Sequence, residues 1–268
     1  MAPLVGAAML ALACGMAAAA ELDAKDHKAL DVLRDAQPPG VREACAALKG
    51  WRHPIPPCSW PGVTCTDPAS GSSRVRVIDL RYCGLTALPA AALVWDELEV
   101  LEMRGNLITE LPATVNGLSN LRRIFLEMNQ VRELPSTICE LKKLTNLYIA
   151  FNKLTSLPSC IGDLGPTLGD IWLRGNSIAT LPDSFCDLAQ MGSAYIMDAG
   201  IEQLPECFGR LGNGRGYVHL ELEGNKLSAL PDSMAQMFSE GRVNALNLGK
   251  KATAVHSNGT DTLPSSSR

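Results

Sequence analysis

The fold of this chain is decided by the stretch 121-LRRIFLEMNQVRELP-135 and its relatives elsewhere in the sequence. The last five residues of this stretch are one of seven copies of L-x-x-L-P, in which Ile or Val can replace the first Leu. The copies begin at Leu85, Ile108, Val131, Leu154, Ile178, Ile201 and Leu227. A short, fixed period means that small units stack and bury a continuous core between neighbours. The repeated residues build a scaffold, so activity has to be sought in the positions that do not repeat.

The longer template around these copies is L-x-x-L-x-L-x-x-N-x-L-x-x-L-P. Full units begin 23–26 residues apart, at Val75, Leu98, Leu121, Leu144, Leu168, Met191 and Tyr217, and a partial eighth begins at Val243. Inward apolar positions alternate with outward variable ones, which predicts a strand at the start of each unit. We expect an α/β solenoid: a right-handed βα superhelix with a parallel concave sheet and short helical or 3-10 arms on its convex side.

The ninth position of the template predicts a column of side-chain amides. It holds Asn106, Asn129, Asn152, Asn176 and Asn225, while Cys83 and Ala199 interrupt the series. An amide both donates and accepts hydrogen bonds, so stacked copies can satisfy backbone groups where each strand ends. Because Ala199 offers no such bond, unit six is predicted to be the weakest of the sheet.

The ends of the chain indicate secretion. Residues 1–20 carry no charged side chain and end in three alanines before Glu21, which is typical of a cleaved signal peptide; an uncleaved anchor is the alternative. Residues 252–268 are polar, are expected to be a disordered tail, and contain a glycosylation sequon at Asn258. The net charge is −4 and no basic stripe is present, which argues against a nucleic-acid partner.

The segment before the repeats predicts a cap. Helices are expected over 25–34 and 41–48, followed by Trp51 and by 58-CSWPGVTC-65. This order of residues resembles the N-terminal cap of plant-type extracellular leucine-rich-repeat proteins, the group of receptor-kinase ectodomains and polygalacturonase-inhibiting proteins. The body repeats, with L-T-x-L-P, are closer to those of plant intracellular Ras-group leucine-rich-repeat proteins. The resulting domains are a signal peptide at 1–20, a cap at 21–74, a leucine-rich-repeat domain at 75–251 and the tail.

Nine cysteines fit an oxidising compartment, and eight remain once Cys14 leaves with the signal peptide. Within the cap that the resemblance defines, Cys58 and Cys65 are expected to form a disulfide. The arms of units three to six carry further cysteines at alternating positions, which suggests bridges between Cys139 and Cys160 and between Cys186 and Cys207. Four buried free thiols are the alternative, because adjacent arms can lie too far apart for a bridge. Cys45 and Cys83 remain as a further pair.

The fifth position of each unit lies on the outward, concave face of the predicted sheet. It runs Asp79, Glu102, Phe125, Tyr148, Trp172, Tyr195, Glu221 and Asn247, so four consecutive units present an aromatic ring. Phe151 and Met128 in the eighth position broaden this patch, and Arg123, Glu102 and Glu221 flank it with charge. The rings are expected to bind a ligand, since aromatic side chains are favoured interface anchors. The alternative is that the rings stack only on one another and protect the sheet.

No enzyme signature is present, and the four histidines are expected to lie in unrelated places. We expect no cofactor and no metal site, because no C-x-x-C or Cys/His cluster is found. The sequence therefore predicts a secreted, non-catalytic recognition module for a protein, peptide or polysaccharide ligand in signalling or defence, with a membrane co-receptor as a further partner. The alternative is an intracellular scaffold that binds a signalling protein such as a small GTPase. A fragment of a longer receptor would show the same features.

Overall fold

The computed structural model describes residues 22–66 and 73–247, and of residues 244–247 only the backbone. The predicted signal peptide, most of the predicted tail and Asn258 lie outside these residues. A single sheet of nine strands runs through the described chain in sequence order. The strands are β1 (Val63–Cys65), β2 (Val75–Asp79), β3 (Val100–Glu102), β4 (Arg123–Phe125), β5 (Asn146–Tyr148), β6 (Asp170–Trp172), β7 (Ser193–Tyr195), β8 (Val218–Glu221) and β9 (Val243–Asn247).

The predicted parallel sheet is confirmed from β2 to β9, one strand for each unit and one for the partial eighth. The cap contributes β1, which pairs antiparallel with β2, an arrangement that the sequence did not indicate. Strand β1 covers the backbone groups of β2 that an open sheet edge leaves exposed. It therefore protects the first edge of the sheet from pairing with another chain.

Short arms return the chain along the convex side, mostly as 3-10 turns that begin after the Pro of each L-P pair. They span Ala90–Ala92, Ala113–Gly117, Ser136–Glu140, Ile161–Leu164, Asp183–Asp187 and Phe208–Arg210, and the last arm is helix α4, Ser233–Ser239. The inward residues of strands and arms are fully buried, as at Leu121, Ile124 and Leu126 of unit three. Each unit buries its apolar residues against both neighbours, so the core is a continuous layer between sheet and arms.

The cap packs helix α1, Ala24–Asp35, against the start of the sheet. The buried carboxylate of Asp26 accepts hydrogen bonds from the Arg74 side chain and from the backbone N–H of Val75, which joins α1 to β2. The second predicted helix, 41–48, is instead two helices, α2 (Pro39–Ala44) and α3 (Ala46–Gly50). They separate at Cys45, whose backbone is extended and whose sulfur accepts a hydrogen bond from the Leu48 N–H.

Four disulfides tie the described chain together. In the cap, Cys58 pairs with Cys65 and Cys45 pairs with Cys83. On the convex arms, Cys139 pairs with Cys160 and Cys186 with Cys207, at Cα separations of 6.0 and 5.8 Å, which lie within the usual range for a bridge. The two arm bridges join unit three to unit four and unit five to unit six.

The asparagine column closes the strand ends. Asn129 is typical: its Oδ1 accepts from the Ile108 N–H, and its Nδ2 donates to the carbonyls of Met103 and Leu126. In unit six the backbone takes over part of this role, because the Ile178 N–H donates to the carbonyl of Ala199 at 2.7 Å. The backbone thus compensates in part for the missing amide, and the weakness of unit six stays a prediction.

Candidate ligand-binding surface

The register of the sheet brings the fifth positions into one column. Each fifth-position residue is the direct partner of the next along the sheet, from Asp79 through Glu102, Phe125, Tyr148, Trp172, Tyr195 and Glu221 to Asn247. Parallel pairing without a register shift from β2 to β8 follows from the constant length of the strand part of each unit. The four predicted rings are therefore neighbours on adjacent strands.

The rings form a contiguous ladder. Centroids are 4.9 Å apart between Phe125 and Tyr148, 4.7 Å between Tyr148 and Trp172, and 5.2 Å between Trp172 and Tyr195. His219, in the third position of unit seven, adds a fifth ring 5.3 Å from Tyr195. We call these five residues the ring ladder. Each ring contact contributes about 0.5–1.5 kcal/mol beyond the area it buries, so the ladder also stabilises the surface that it forms.

An arginine–glutamate pair closes the ladder at the Phe125 end. The Arg104 guanidinium lies over the Phe125 ring, 5.7 Å from its centroid, and its Nη2 is 2.9 Å from Oε1 of Glu127. Glu127 is buried, and this burial raises the pKa of its carboxyl despite the nearby arginine. Its Oε2 and the Nε of Arg104 are buried without a hydrogen-bond partner among the described residues. Both atoms are covered by the protein, so neither is open to a ligand at the surface of the ladder.

At the other end, His219 replaces the arginine. Its Nε2 lies 2.9 Å from Oε1 of Glu221, the next residue in the fifth-position column. The sequence pattern missed His219 because only equivalent positions of the units were compared, whereas this ring meets Tyr195 diagonally, from the third position to the fifth.

Polar contacts orient the middle of the ladder. The Nδ2 of Asn146 donates to the hydroxyl of Tyr148 at 2.9 Å and to Oδ2 of Asp170 at 2.7 Å. Burial, and secondarily the charge of Asp170, raises the pKa of the Tyr148 hydroxyl, which therefore keeps its proton at neutral pH. Because this hydroxyl already accepts a hydrogen bond from Asn146, its own proton can be donated to a ligand.

The most accessible part of the surface lies beside the ladder. Trp172 is 38% exposed, while Met128 and Phe151 in the eighth position are 52% and 51% exposed. Exposed apolar side chains in one patch mark binding surfaces more often than isolated ones do. The Arg174 guanidinium lies 5.5 Å from the centroid of Phe151 and adds a charge to this patch.

The eighth position has left-handed backbone geometry in every full unit. Its φ values lie between +51° and +75°, at Tyr82, Gly105, Met128, Phe151, Gly175, Asp198 and Gly224. Glycine takes this conformation freely, whereas Met and Phe are strained by about 1–2 kcal/mol. The glycines also make room, because a Cβ on Gly175 would lie 2.7 Å from the ring of Phe151. Met128 and Phe151 thus place large side chains where the backbone conformation is strained, which points to a role beyond the scaffold.

The three flanking charges of the predicted site differ in placement. Arg123 is exposed, and Glu221 is half-buried against His219. Glu102 is buried, with 6% of its surface exposed, and its Oε1 accepts a hydrogen bond from the backbone N–H of Arg104. Glu102 therefore keeps its outward position in the sheet, but it is less accessible to a ligand than expected, because its carboxylate bonds to the backbone that follows β3.

A polar cleft of about 320 Å³ lies at the strand ends of units five to seven. The ion pair between Lys226 and Glu202, at 3.1 Å, forms part of its wall. The lining residues are Asn176, Ser177, Ala179, Asp198, Gly200, Glu202, Gly224 and Lys226. None of the ring-ladder residues lines this cleft, so the cleft is separate from the ladder.

The expectation that the histidines are unrelated is wrong for two of them. His27 of α1 and His53 of the following loop meet in the cap, with ring centroids 4.9 Å apart. The sequence could not indicate this contact, because it depends on the path of a non-repetitive loop around Trp60.

Comparison with known proteins finds a family match in the cap. Residues 24–66 match the model of the leucine rich repeat N-terminal domain, and the parallel strands of the repeats follow directly. The described chain therefore has the leucine-rich-repeat fold. A search of curated proteins finds no match. Within residues 22–66 and 73–247, no helix combines the length and the apolar character that crossing a bilayer requires.

Solved structures share the fold of this leucine-rich-repeat protein at low sequence identity. The PEPR1–AtPEP1 structure matches 84% of the chain with a TM-score of 0.65 and 24% identity. A plant ice-binding protein matches 85% of the chain, with a TM-score of 0.67 and 21% identity. A third match is the LRR ectodomain of the plant membrane receptor kinase GASSHO1/SCHENGEN3 from Arabidopsis thaliana, in complex with CASPARIAN STRIP INTEGRITY FACTOR 2. It matches 83% of the chain, with a TM-score of 0.59 and 20% identity. The expected resemblance to plant-type extracellular leucine-rich-repeat proteins is thereby confirmed.

The chain spans 31% of the PEPR1 chain, 35% of the GASSHO1/SCHENGEN3 chain and 72% of the ice-binding chain. These neighbours carry different functions on one architecture. The fold alone does not decide function, which has to be argued from the surface of this chain.

Proposed function

We propose that this chain is an extracellular, non-catalytic recognition module that holds an extended peptide segment across the strands of units three to seven. The observation that carries the proposal is the ring ladder from Phe125 to His219, with Trp172 exposed at its centre. Buried and half-buried aromatic rings surrounded by polar groups are the usual energetic centre of a protein interface. A peptide that crosses the strands contacts one ring for each unit that it passes.

The orientation of the rings favours a peptide over a polysaccharide. Neighbouring ring planes are tilted by 52°, 48° and 65° along the ladder, so the rings do not form one flat platform. A sugar chain that stacks on several rings needs their faces in a common plane. Tilted rings instead leave notches between them, and these suit the side chains of a peptide.

The charges flanking the ladder give the ligand a direction. Arg122 and Arg123 are exposed beside Phe125, whereas Asp170 lies beside the middle of the ladder and Asp198 and Glu221 lie toward its other end. We propose that the acidic part of the peptide lies over unit three and its basic part over units five to seven. Complementary charge of this kind sets orientation and association rate more than affinity.

The convex disulfides support a rigid platform. Cys139–Cys160 and Cys186–Cys207 join units three to four and five to six, the same units that carry the four strand rings. A surface fixed in its binding geometry loses less conformational entropy when a ligand binds, which increases affinity.

The structural neighbours support a peptide or protein partner. The structures of PEPR1–AtPEP1 and of GASSHO1/SCHENGEN3 with CASPARIAN STRIP INTEGRITY FACTOR 2 are complexes on this fold. For this chain a peptide ligand is the first proposed partner, and a membrane co-receptor that reads the occupied surface is the second.

A library selection tests the ligand class. The secreted protein is used to select peptides from a random library, and a panel of plant polysaccharides is tested in parallel. We expect enriched peptides whose affinity falls at least about tenfold on Trp172→Ala, since central aromatic anchors contribute 2 kcal/mol or more. Thr155→Ala, exposed on the arm-side turn of unit four, serves as the control and keeps the affinity. Binding of polysaccharides alone, or peptides indifferent to Trp172, contradicts the proposal.

The alternative of an intracellular scaffold rests on the L-T-x-L-P repeats, which resemble those of plant intracellular Ras-group proteins. Four disulfides argue against it, because the cytosol keeps cysteines reduced. Protein produced in plant cells is expected to begin at Glu21, to carry a glycan on Asn258 and to be found outside the cell. A cytosolic chain with an intact N-terminus and reduced cysteines supports the scaffold.

A further inference from the structure

The cap brings together three metal-ligating side chains that the ligand surface does not use. His27 and Asp31 lie one turn apart on α1, and His53 approaches them from the loop after α3. The sequence separates His53 from the other two residues and gives no ligand motif. Only the folding of residues 51–60 around Trp60 completes the group.

The distances within this group are not those of ordinary hydrogen bonds. The Nε2 atoms of His27 and His53 lie 3.8 and 3.7 Å from the same oxygen, Oδ2 of Asp31. The three atoms all lie within 4.8 Å of one another. Normal N–H···O hydrogen bonds are about 2.7–3.2 Å long. Moreover, Nε2 of His27 is buried without a hydrogen-bond partner among the described residues, so hydrogen bonding does not satisfy this nitrogen.

We propose that His27, Asp31 and His53 bind a divalent transition metal, with Zn²⁺ as the reference ion. Bonds of about 2.0–2.2 Å in tetrahedral geometry place ligand atoms about 3.3–3.5 Å apart. Each histidine therefore has to approach Asp31 by less than about half an ångström. The required rotation is available to His53, whose side chain is 58% exposed. Three protein ligands leave the fourth position for water or for a donor atom of a partner.

The surroundings hold the ligands in place. Nη1 of Arg34 lies 2.9 Å from Oδ1 of Asp31, which leaves Oδ2 as the oxygen that faces the histidines. Asp35 pairs with the same arginine at 2.8 Å and offsets its charge. The edge of Trp60 supports both imidazoles, at centroid distances of 5.7 and 6.0 Å. Groups that orient metal ligands in this way influence metal affinity strongly.

A bound ion would fasten helix α1 to the loop 51–57, which no disulfide of the described chain links directly. Binding to the folded state alone would then stabilise the cap by an amount that rises with the logarithm of the metal concentration above the Kd.

Calorimetric titration tests the site. Untagged, chelator-treated secreted protein is titrated with Zn²⁺ in a buffer that does not itself bind the ion. We expect the wild-type protein to bind one ion per chain. We expect His53→Gln and Asp31→Asn each to weaken this binding at least about tenfold, because each removes a ligand. The control is His219→Gln, which removes the histidine of the ring ladder and leaves the affinity unchanged.

A second measurement protects the test against misfolding of a variant. The melting temperature of the wild-type protein is expected to rise when Zn²⁺ is added and to return to its starting value when a chelator is added. The melting temperature of His53→Gln is expected to stay constant. Circular dichroism checks that this exposed substitution leaves the fold intact. Absence of saturable binding in the wild type overturns the proposal. Equal binding by wild type and His53→Gln, or loss of binding in His219→Gln alone, overturns it as well.

Discussion

Units one and two and units three to six use the same strand position in different ways. In units one and two the fifth position holds Asp79, paired with Arg81, and the buried Glu102. In units three to six it holds four rings in mutual contact. The backbone register is the same in both halves, from Val77 pairing with Val100 to Trp172 pairing with Tyr195. The scaffold therefore tolerates either chemistry, and the outward side chains alone distinguish the two halves.

The convex side shows the same division. The arms of units three to six are joined in pairs by disulfides, whereas Cys83 of unit one is bonded to the cap. A rigid arm layer thus lies opposite the rings. The N-terminal half serves to join the cap to the repeats, and the ring-bearing half presents the binding surface.

The largest effect on stability is expected from an inward residue of the ring half. Leu147→Ala is expected to lower the free energy of unfolding by about 2–5 kcal/mol, because it leaves a cavity between adjacent units. The neighbouring outward variant Tyr148→Ala is expected to cost less than half as much, since its ring is only half-buried. Urea unfolding of both variants measures the difference. Equal losses would mean that the rings belong to the scaffold.

Removal of one convex bridge comes next. Cys139→Ser combined with Cys160→Ser opens a loop of 21 residues. The chain-entropy model gives a loss of about 3 kcal/mol for a loop of this length. Thermal unfolding of the double variant checks this value, with Thr137→Ser on the same arm as the control. Counting of thiols on denatured wild-type protein is expected to find none; four or more would show that the arm bridges do not form.

The left-handed eighth position gives a smaller effect. Phe151→Gly relieves the strained backbone, whereas Phe151→Ala removes the same ring and keeps the strain. The Gly variant is expected to be more stable than the Ala variant by about 1 kcal/mol. Chemical unfolding compares the two proteins directly. An Ala variant that is as stable as the Gly variant, or more stable, would show that the backbone at residue 151 is not strained by a side chain.

The junction between the halves is expected to respond to pH. Burial raises the pKa of Glu127 above its unfolded value, so the folded chain holds this proton more tightly. The stabilisation is fully present below the unfolded pKa, about 4.3, and is lost as the pH rises through the folded pKa. Glu127→Gln cannot ionise, so its unfolding free energy should decline less over this range than that of wild type. Glu133→Gln, an exposed change in the same unit, should follow the wild type; identical slopes for all three proteins would contradict the assignment.

Much of this architecture could be predicted from sequence, because the repeat applies the same constraint many times. The inward Ile124 and Leu126 with the outward Phe125 predict a strand, and the constant length of the strand part of each unit aligns the rings. In the cap, which contains no repeat, sequence patterns led to no prediction or to a wrong one. The break at Cys45, the antiparallel β1 and the meeting of His27 with His53 all belong to the cap, whose loops follow no period.

Within the repeats, the misses arise from local geometry. Glu102 occupies an outward position, yet its carboxylate bonds to the N–H of Arg104 and is buried. The left-handed eighth position could have been recognised, since glycine recurs there at Gly105, Gly175 and Gly224. The contact between His219 and Tyr195 runs diagonally across strands, and a comparison of equivalent positions cannot detect it.

The central claim is that units three to six, which carry the four strand rings, hold the ligand, and that units one and two do not. The most direct test titrates a library-selected peptide against two variants matched for melting temperature. One carries Phe125→Ala, Tyr148→Ala, Trp172→Ala and Tyr195→Ala; the other carries Asp79→Asn and Arg81→Gln in the N-terminal half. We expect the four-ring variant to lose at least about 100-fold in affinity, equivalent to about 2.7 kcal/mol, and the control less than about tenfold. Retained affinity in the four-ring variant, or an equal loss in both, would contradict the account.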